Sequence, residues 1–175
     1  MHSDVLHQGA ICGAGARGFP NAFEASGTSL AVAAARLSFV LGLRGAAISY
    51  DTTCSSAIVA LRAAAASGPG GSSELALAAG VHVVQLPHSS GAFAAASMLS
   101  KDGRCKAFDV AANGYVRAEG AGACTLIFRA GALPFGMACA ALLRIDSCLD
   151  GKRASLTAPN GAAQASLVRR ALVST

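Results

Sequence analysis

Apolar and polar positions along the chain follow a pattern that predicts helices and strands in turn. Leu30 to Leu41 has the apolar content of a buried helix, with Ser26-Gly-Thr28 before it and Gly42 after it. We expect the hydroxyl oxygens to cap its first N–H groups and the glycine to end it. Ala46 to Tyr50 is a short apolar segment typical of a strand. Residues 1–25 are rich in glycine, and we expect them to be irregular.

A second predicted helix follows this strand after the polar segment Asp51-Thr-Thr-Cys-Ser-Ser56. It spans about Ser55 to Ala66 and is stopped by Ser67-Gly-Pro-Gly70. Arg62 is its one charged residue, and the helix is apolar on nearly every side. A helix of this kind is normally buried in a large core.

The remaining chain predicts three further strands and one helix. The expected elements are a buried strand over Leu75–Val84, two adjacent strands over Ala123–Arg129 and Met137–Arg144 joined by a turn at residues 131–136, and a helix that Asn160 caps. Arg169 and Arg170 lie in the last turn of that helix, where positive charge interacts favourably with the helix dipole. Residues 85–120 form a long, mostly irregular stretch, which is typical of a functional loop.

The composition favours a layered α/β fold. Of the 175 residues, 53% are hydrophobic and only 13% are charged, so large parts of the chain must be buried. The apolar residues are mainly alanine, valine and leucine, and 20 residues are glycine. Such small residues let helices and strands approach closely.

The charge pattern argues against nucleic acid and membrane partners. The net charge of +5 comes without a long basic run or interleaved aromatics, which leaves a mild attraction for an acidic partner protein. The first ten residues are not a signal peptide. Ala121 to Leu143 contains Arg129, Pro134 and several glycines, so it does not predict a membrane helix. A cytoplasmic location is expected, with a plastid as the other compartment left open.

The sequence has neither the cysteine spacing of a zinc site nor the glycine motif of a dinucleotide site. The six cysteines, at positions 12, 54, 105, 124, 139 and 148, form no CxxC pair and have no zinc-like spacing, so we expect free thiols and no metal site. Gly9 to Gly18 lacks the strand–GxGxxG–helix context of a dinucleotide site. Each of the four histidines, at positions 2, 7, 82 and 88, is interpreted as a residue without a catalytic role.

Cys54 is the candidate nucleophile. It lies where a strand meets the start of a helix, so free backbone N–H groups and the positive end of the helix dipole would stabilise a thiolate. The same N–H groups, including that of Cys54 itself, could stabilise an oxyanion after attack on a thioester carbonyl. The competing interpretation is an inert buried cysteine at a strand end. A serine hydrolase motif, Gly-x-Ser-x-Gly, is absent here.

Four blocks of sequence in a fixed order carry a family resemblance. They are Arg36-Leu-Ser38 with Val40-Leu-Gly-Leu-Arg-Gly45; Asp51-Thr-Thr-Cys-Ser-Ser56; Met98 to Asp109 with Asn113-Gly-Tyr-Val-Arg-Ala-Glu-Gly120; and Leu156 to Gly161 with Gln164 and Arg169 to Leu172. Together they resemble the β-ketoacyl synthase (ketosynthase) domains of type I polyketide synthases, over about residues 9 to 173. The resemblance implies the thiolase fold, a layered α/β/α/β/α arrangement of two related halves. Residues 1–175 would form the N-terminal region of the domain, with the C-terminal half absent.

The same resemblance implies a reaction and partners. Cys54 would accept an acyl chain as a thioester from the phosphopantetheine of an acyl carrier protein, with no bound cofactor. A decarboxylative Claisen condensation with a malonyl-type extender, in polyketide or fatty acid biosynthesis, would follow. The enzyme would be an acyltransferase of the 3-oxoacyl-[acyl-carrier-protein] synthase type. The full-length parent would be a homodimer.

Departures from the family pattern bear on activity. Thr53 replaces the usual alanine before the nucleophile and could narrow the site, Ala57 replaces a serine, and Ala118 replaces a glycine. Cys148 and Leu149 stand where the family has Asn-Gln. The family's two catalytic histidines and its structural lysine would follow residue 175, so we expect this chain alone to be inactive.

Two other functions remain open at this stage. One is a non-catalytic partner subunit similar to ketosynthases, although such subunits lack the cysteine that is present here as Cys54. The other is an unrelated cysteine hydrolase, which would need a histidine within reach of Cys54.

Two polar segments have structural interpretations. The charged residues over 102–109 are interpreted as a solvated surface loop, or as a structural loop near the active-site entrance. Tyr115, Arg117 and Glu119 alternate as on a strand, and we expect an internal ion pair that supports the site.

Overall fold

A four-stranded sheet with helices packed against it organises the chain in the computed structural model. The model describes residues 3–10, 22–68, 73–84, 87–128, 140–153, 155 and 158–172. Their elements in chain order are β1 (Ser3–Ala10), α1 (Glu24–Thr28), α2 (Leu30–Leu41), β2 (Ala47–Ser49), a 3₁₀ turn (Thr53–Ser55), α3 (Ser56–Ser67), β3 (Leu75–His82), α4 (Pro87–Ala95), β4 (Gly120–Ile127) and α5 (Gly161–Leu172).

The sheet has the strand order β2-β1-β3-β4. β1 runs parallel to both β2 and β3, and β4 runs antiparallel to β3. Parallel neighbours need crossover connections, which are usually helices. Here α2 lies between β1 and β2 in the chain and packs on both, and α3 lies between β2 and β3 and packs on β1 and β3. The arrangement places the start of α3, and the residues before it, at the carboxyl end of β2.

Among the residues whose burial is described, small side chains form the core. Its fully or nearly fully buried members are Ala34, Ala60, Ala64, Ala76, Ala78 and Ala79. Leu126 and Phe128 pack against this cluster from the region of β4. Gly68, just after α3, lies so close to the Phe128 ring that a side-chain carbon there would overlap it. The prediction of close α/β packing through small residues is therefore confirmed in this part of the chain.

The predicted helix over Leu30 to Leu41 is confirmed, but neither Ser26 nor Thr28 occupies its N-cap position. Gly42 ends the helix at φ 66°, and its N–H donates to the Ser38 carbonyl. Ser26 lies inside the short helix α1, where its hydroxyl donates to the Phe23 carbonyl at 3.2 Å. Ser29 takes the N-cap position, and its side chain makes no capping bond to the described residues. The serine-rich segment thus forms its own helical turn before α2.

The strand over Ala46 to Tyr50 and the helix over Ser55 to Ala66 are confirmed within a residue or two. Burial of α3 is one-sided in the part of the chain that is described, because Ser56, Ala60 and Ala64 are buried at a spacing of four residues while Ile58 is 48% exposed. The prediction of a helix buried on every side is not met by these residues.

Several predictions for the remaining chain need correction. Ser3–Ala10 is a strand and not irregular, because pairing with both β2 and β3 outweighs a weak local pattern. The stretch 85–120 contains the helix Pro87–Ala95 before an irregular segment. Residues 11–21 lie outside the described residues.

The two adjacent strands predicted near the end are half correct. The first exists and begins earlier, at Gly120. Residues 140–144 of the second form no strand. Its first three residues, and the turn predicted at 131–136, lie outside the described residues.

Asn160 caps α5 as predicted. Its side-chain oxygen accepts from the Ala163 N–H at 3.2 Å, and Arg169 and Arg170 lie in the last turn. Asn160 also ties the helix to the preceding loop, because its amide nitrogen donates to the Asp150 carbonyl at 2.8 Å. Across the described ranges, no helix has both the length and the apolar character needed to cross a bilayer.

Candidate active site

Cys54 lies in the 3₁₀ turn between the end of β2 and the first residue of α3. Its side chain is an exposed free thiol. The predicted strand–turn–helix context is therefore present, and Cys54 is not buried as the competing interpretation required. Thr53 Oγ1 is 3.8 Å from the Cys54 sulfur, close enough for a weak hydrogen bond.

Hydrogen bonds between near neighbours hold this turn together. The Ser56 hydroxyl accepts from the Thr52 N–H at 2.7 Å and donates to the Thr53 carbonyl at 2.8 Å. The Thr53 N–H donates to a carboxylate oxygen of Asp51 at 3.3 Å. Ser55 adds an exposed contact, since its hydroxyl lies 2.9 Å from the Thr52 carbonyl. These hydrogen bonds therefore form a local network around the cysteine.

Thr53 carries backbone strain in this network. Its φ of 57° lies in the left-handed region, which a β-branched residue adopts only at a cost of about 1–3 kcal/mol. Such strain persists where surrounding contacts fix the conformation, and it clusters at functional sites. The departure from the family's alanine thus lies at a strained position directly before the candidate nucleophile.

A cleft of about 750 Å³ begins at Cys54. Its lining residues are Cys54, then Ala57, Ile58 and Leu61 of α3, residues 78–82 of β3, residues 118–119, and residues 120 and 122–124 of β4. Most of the lining is apolar or glycine, and the polar side chains among it are few. The cleft can accept an apolar chain next to the thiol.

Arg117 links three parts of the structure beside this cleft. Its guanidinium contacts Nε2 of His82 at 3.1 Å and lies over the Phe93 ring at 4.7 Å from the ring centre. Because a guanidinium only donates, Nε2 accepts this hydrogen bond and the ring proton lies on Nδ1. Glu119 instead accepts from the Val84 N–H at 2.6 Å. The expected ion pair between Arg117 and Glu119 is therefore wrong, because each side chain has a partner on or beside the end of β3.

His82 lines the same cleft as Cys54, a juxtaposition that sequence reasoning missed. No hydrogen bond joins the two residues in the part of the chain that is described, and Nε2 of His82 is taken by Arg117. The geometry gives no support to a cysteine–histidine pair of the hydrolase type. The side chains of the other three histidines lie outside the described residues.

The loop over 102–109 is an exposed, internally bonded structure. Lys106 forms an ion pair with Asp102, and Asn113 and Ser100 donate to the same carboxylate, Asn113 at 2.8 Å. These hydrogen bonds, that of Lys106 first, hold the pKa of Asp102 well below its ordinary value. The interpretation as a solvated surface loop is confirmed for these side chains.

Comparison with known proteins identifies the family. The family model described as "Beta-ketoacyl synthase, N-terminal domain" matches residues 13–130, which is more than half of the chain. The chain belongs to the β-ketoacyl synthase family. The resemblance inferred from the four sequence blocks is confirmed.

Polyketide synthases are among the curated relatives of this ketosynthase chain. It is 45% identical over 148 residues to the phenolphthiocerol synthesis polyketide synthase type I Pks15/1 of Mycobacterium bovis, a match covering 84% of this chain and 7% of the relative. It is 37% identical over 172 residues to a mycocerosic acid synthase-like polyketide synthase of Mycolicibacterium smegmatis, covering 98% and 8%. The chain therefore spans less than a tenth of the length of either relative.

Solved ketosynthases share the fold. The ketosynthase from module 6 of the bacillaene synthase of Bacillus subtilis 168 matches with a TM-score of 0.72 and 32% identity, covering 96% of this chain and 29% of that one. The oxazolomycin ketosynthase domain OzmH KS7 of Streptomyces albus matches with a TM-score of 0.60 and 30% identity, covering 71% and 22%. The predicted α/β, thiolase-like fold is confirmed, and only the N-terminal part of it is covered.

Proposed function

We propose that Cys54 is the acyl-accepting nucleophile of a decarboxylative condensing reaction. The observation that carries the proposal is an exposed cysteine in a strained, hydrogen-bonded turn that lines an apolar cleft, in a chain of the ketosynthase family. The start of α3 directs backbone N–H groups toward this region, which favours a thiolate and the oxyanion that its attack creates.

The proposed reaction has two stages. The Cys54 thiolate attacks the thioester carbonyl of an acyl chain on a carrier-protein phosphopantetheine, the C–S bond to the pantetheine breaks, and its thiolate leaves. A malonyl-type extender on a carrier protein then loses carbon dioxide, and the resulting carbanion attacks the acyl–Cys54 thioester. Formation of the carbon–carbon bond breaks the thioester and releases the Cys54 thiolate. The covalent intermediate thus divides one difficult condensation into two easier steps. No bound cofactor takes part in the proposal.

We propose that residues 1–175 are the N-terminal region of a larger ketosynthase domain. The support is that the match to the solved bacillaene ketosynthase covers 96% of this chain but only 29% of that one. Groups that promote decarboxylation would then come from the rest of the domain. The chain alone should therefore give no β-ketoacyl product.

A condensation assay tests this function. The chain alone, and a longer chain that continues through a complete ketosynthase domain, are incubated with acyl and malonyl carrier proteins, and the product is measured by mass spectrometry. We expect product from the longer chain only, and none after Cys54→Ala. Turnover by residues 1–175 alone would show that the groups needed for decarboxylation have been misplaced.

Three further properties of the parent protein belong to this proposal. The acyl carrier protein is the proposed partner, and a homodimer is the proposed assembly. Phe39, Val40 and Leu41 at the end of α2 support the dimer because they are largely exposed. Light scattering of the parent at micromolar concentration should show a dimer, and a uniform monomer would contradict it.

The similarity to bacterial synthases favours the cytoplasm over a plastid.

A further inference from the structure

Ser56 lies two residues after the candidate nucleophile Cys54, and its polar side chain is buried. It has no solvent-exposed surface, whereas Cys54 and Ser55 are exposed. Its helix face otherwise carries the buried alanines Ala60 and Ala64. A hydroxyl in such a position is stable only when its hydrogen-bonding groups are satisfied.

The two strong partners of the Ser56 hydroxyl lie on both sides of the strained residue. The hydroxyl accepts from the Thr52 N–H at 2.7 Å and donates to the Thr53 carbonyl at 2.8 Å. Thr53, at φ 57°, lies between these two backbone groups. The Ser56 side chain therefore holds the backbone conformation of Thr53, the residue directly before Cys54.

Ser55 provides a natural comparison in the same turn. Its hydroxyl lies 2.9 Å from both the carbonyl oxygen and the side-chain oxygen of Thr52. Because Ser55 is exposed, water can replace these contacts when the hydroxyl is removed. Ser56 is fully buried, so water replaces its hydroxyl less readily, and loss of that hydroxyl removes the hydrogen-bond partner of the Thr52 N–H.

We propose that Ser56 is a positioning residue for the nucleophile. Its hydroxyl holds the strained Thr53 backbone so that the Cys54 sulfur stays exposed beside the cleft that Cys54 lines. The role of Ser56 rests on the proposed function of Cys54, and it acts through Cys54 without contacting the substrate.

The test measures the iodoacetamide alkylation rates of Cys54 and Cys148 in the same molecule, across pH, by peptide mass spectrometry. Cys148 is exposed and distant in sequence, so its rate is an internal reference. We expect Ser56→Ala to lower the Cys54 rate roughly 10-fold relative to Cys148, which corresponds to about 1.4 kcal/mol. Ser55→Ala should change this ratio less than about twofold, and Ser56→Thr, which keeps the hydroxyl, should restore most of it.

Loss of folding alone would not produce this pattern. A merely destabilised chain would not lower the Cys54 rate selectively, and Ser56→Thr would show lower stability with a recovered ratio. In the unsubstituted chain, the Thr52 amide should exchange its proton slowly because Ser56 accepts it. This second measurement applies even where Ser56→Ala does not fold.

Two results would overturn the role of Ser56. One is a ratio of Cys54 to Cys148 alkylation rates that does not separate the variants, because it is unchanged in folded Ser56→Ala or falls equally in Ser55→Ala. The other is exchange of the Thr52 amide proton at the unprotected rate. Failure of the proposed function is a different result, because the unsubstituted protein would then not accept an acyl group on Cys54 at all.

Discussion

At the level of single residues, hydrogen bonds between close neighbours in the sequence hold the turn around Cys54 and the Asp102–Lys106 pair. Ser56 contacts residues three and four positions before it, and Lys106 pairs with Asp102, four positions before it. Helical and turn geometry brings residues at these spacings together. Substitutions at such positions should change the reactivity or titration of one group and leave the sheet intact.

The exposed cysteines should differ in reactivity. Cys54, Cys105, Cys124 and Cys148 are all exposed free thiols, so access alone does not rank them. We expect Cys54 to react fastest with iodoacetamide because, of these four described cysteines, it alone lies at the start of a helix, where the helix dipole favours a thiolate. Peptide mapping after brief labelling of the folded chain measures the order. Faster labelling of Cys148, or of Cys12 or Cys139, would count against the assignment.

Asp102 should titrate at unusually low pH. Hydrogen bonds from Lys106, Asn113 and Ser100 lower its folded-state pKa below the ordinary value of 3.8. A carboxyl with a depressed pKa stabilises the fold above its unfolded pKa, and that contribution is lost as the pH falls from about 4 toward the folded value. The loop should therefore loosen only in strong acid, and high salt should weaken the effect because the pair is exposed.

Carboxyl carbon chemical shifts of Asp102 during an acid titration measure this directly. Lys106→Met should move the titration midpoint of Asp102 up toward 3.8. Lys101→Met, which removes a charge from the same loop but not from this cluster, is the matched control and should leave the midpoint in place. An Asp102 midpoint that does not change in Lys106→Met would show that the ion pair does not control the titration.

At the level of elements, the sequence predicts those whose own pattern is strong. The helices over Leu30–Leu41 and Ser56–Ser67 carry long apolar runs ended by glycine, and both form as expected. β1 was missed because Ser3–Ala10 alternates weakly and becomes a strand through two neighbours far along the chain. α4 was missed because a proline and small polar residues begin it. Long-range pairing, which decides such segments, is not readable from local pattern.

The packing of α3 against Phe128 gives a prediction at this scale. Gly68→Ala should destabilise the fold by about 1–3 kcal/mol, because the added carbon would overlap the Phe128 ring in a packed core. Gly91→Ala, in α4 with open space around it, is the control and should be neutral or slightly stabilising. Urea unfolding of both variants measures the difference. Equal unfolding midpoints would show that α3 and Phe128 are not in close contact.

For the whole molecule, the candidate site is only partly readable from sequence. Cys54 was found because its turn and helix are contiguous in the chain. The contact between His82 and Arg117 was missed because 35 residues separate them and only the β3–β4 pairing brings them together. The exposed apolar side chains outside α2, such as Leu143 and Leu149, fit the proposal that further parts of a ketosynthase domain cover this surface.

Acyl loading of Cys54 tests the central claim most directly. A chain that continues from these residues through a complete ketosynthase domain is incubated with an acyl group on a carrier protein, without extender, and its intact mass is measured. We predict a mass increase of one acyl group, located on the peptide that contains Cys54, and no increase after Cys54→Ala. A folded protein that gains no acyl group, or gains it equally after Cys54→Ala, would contradict the account.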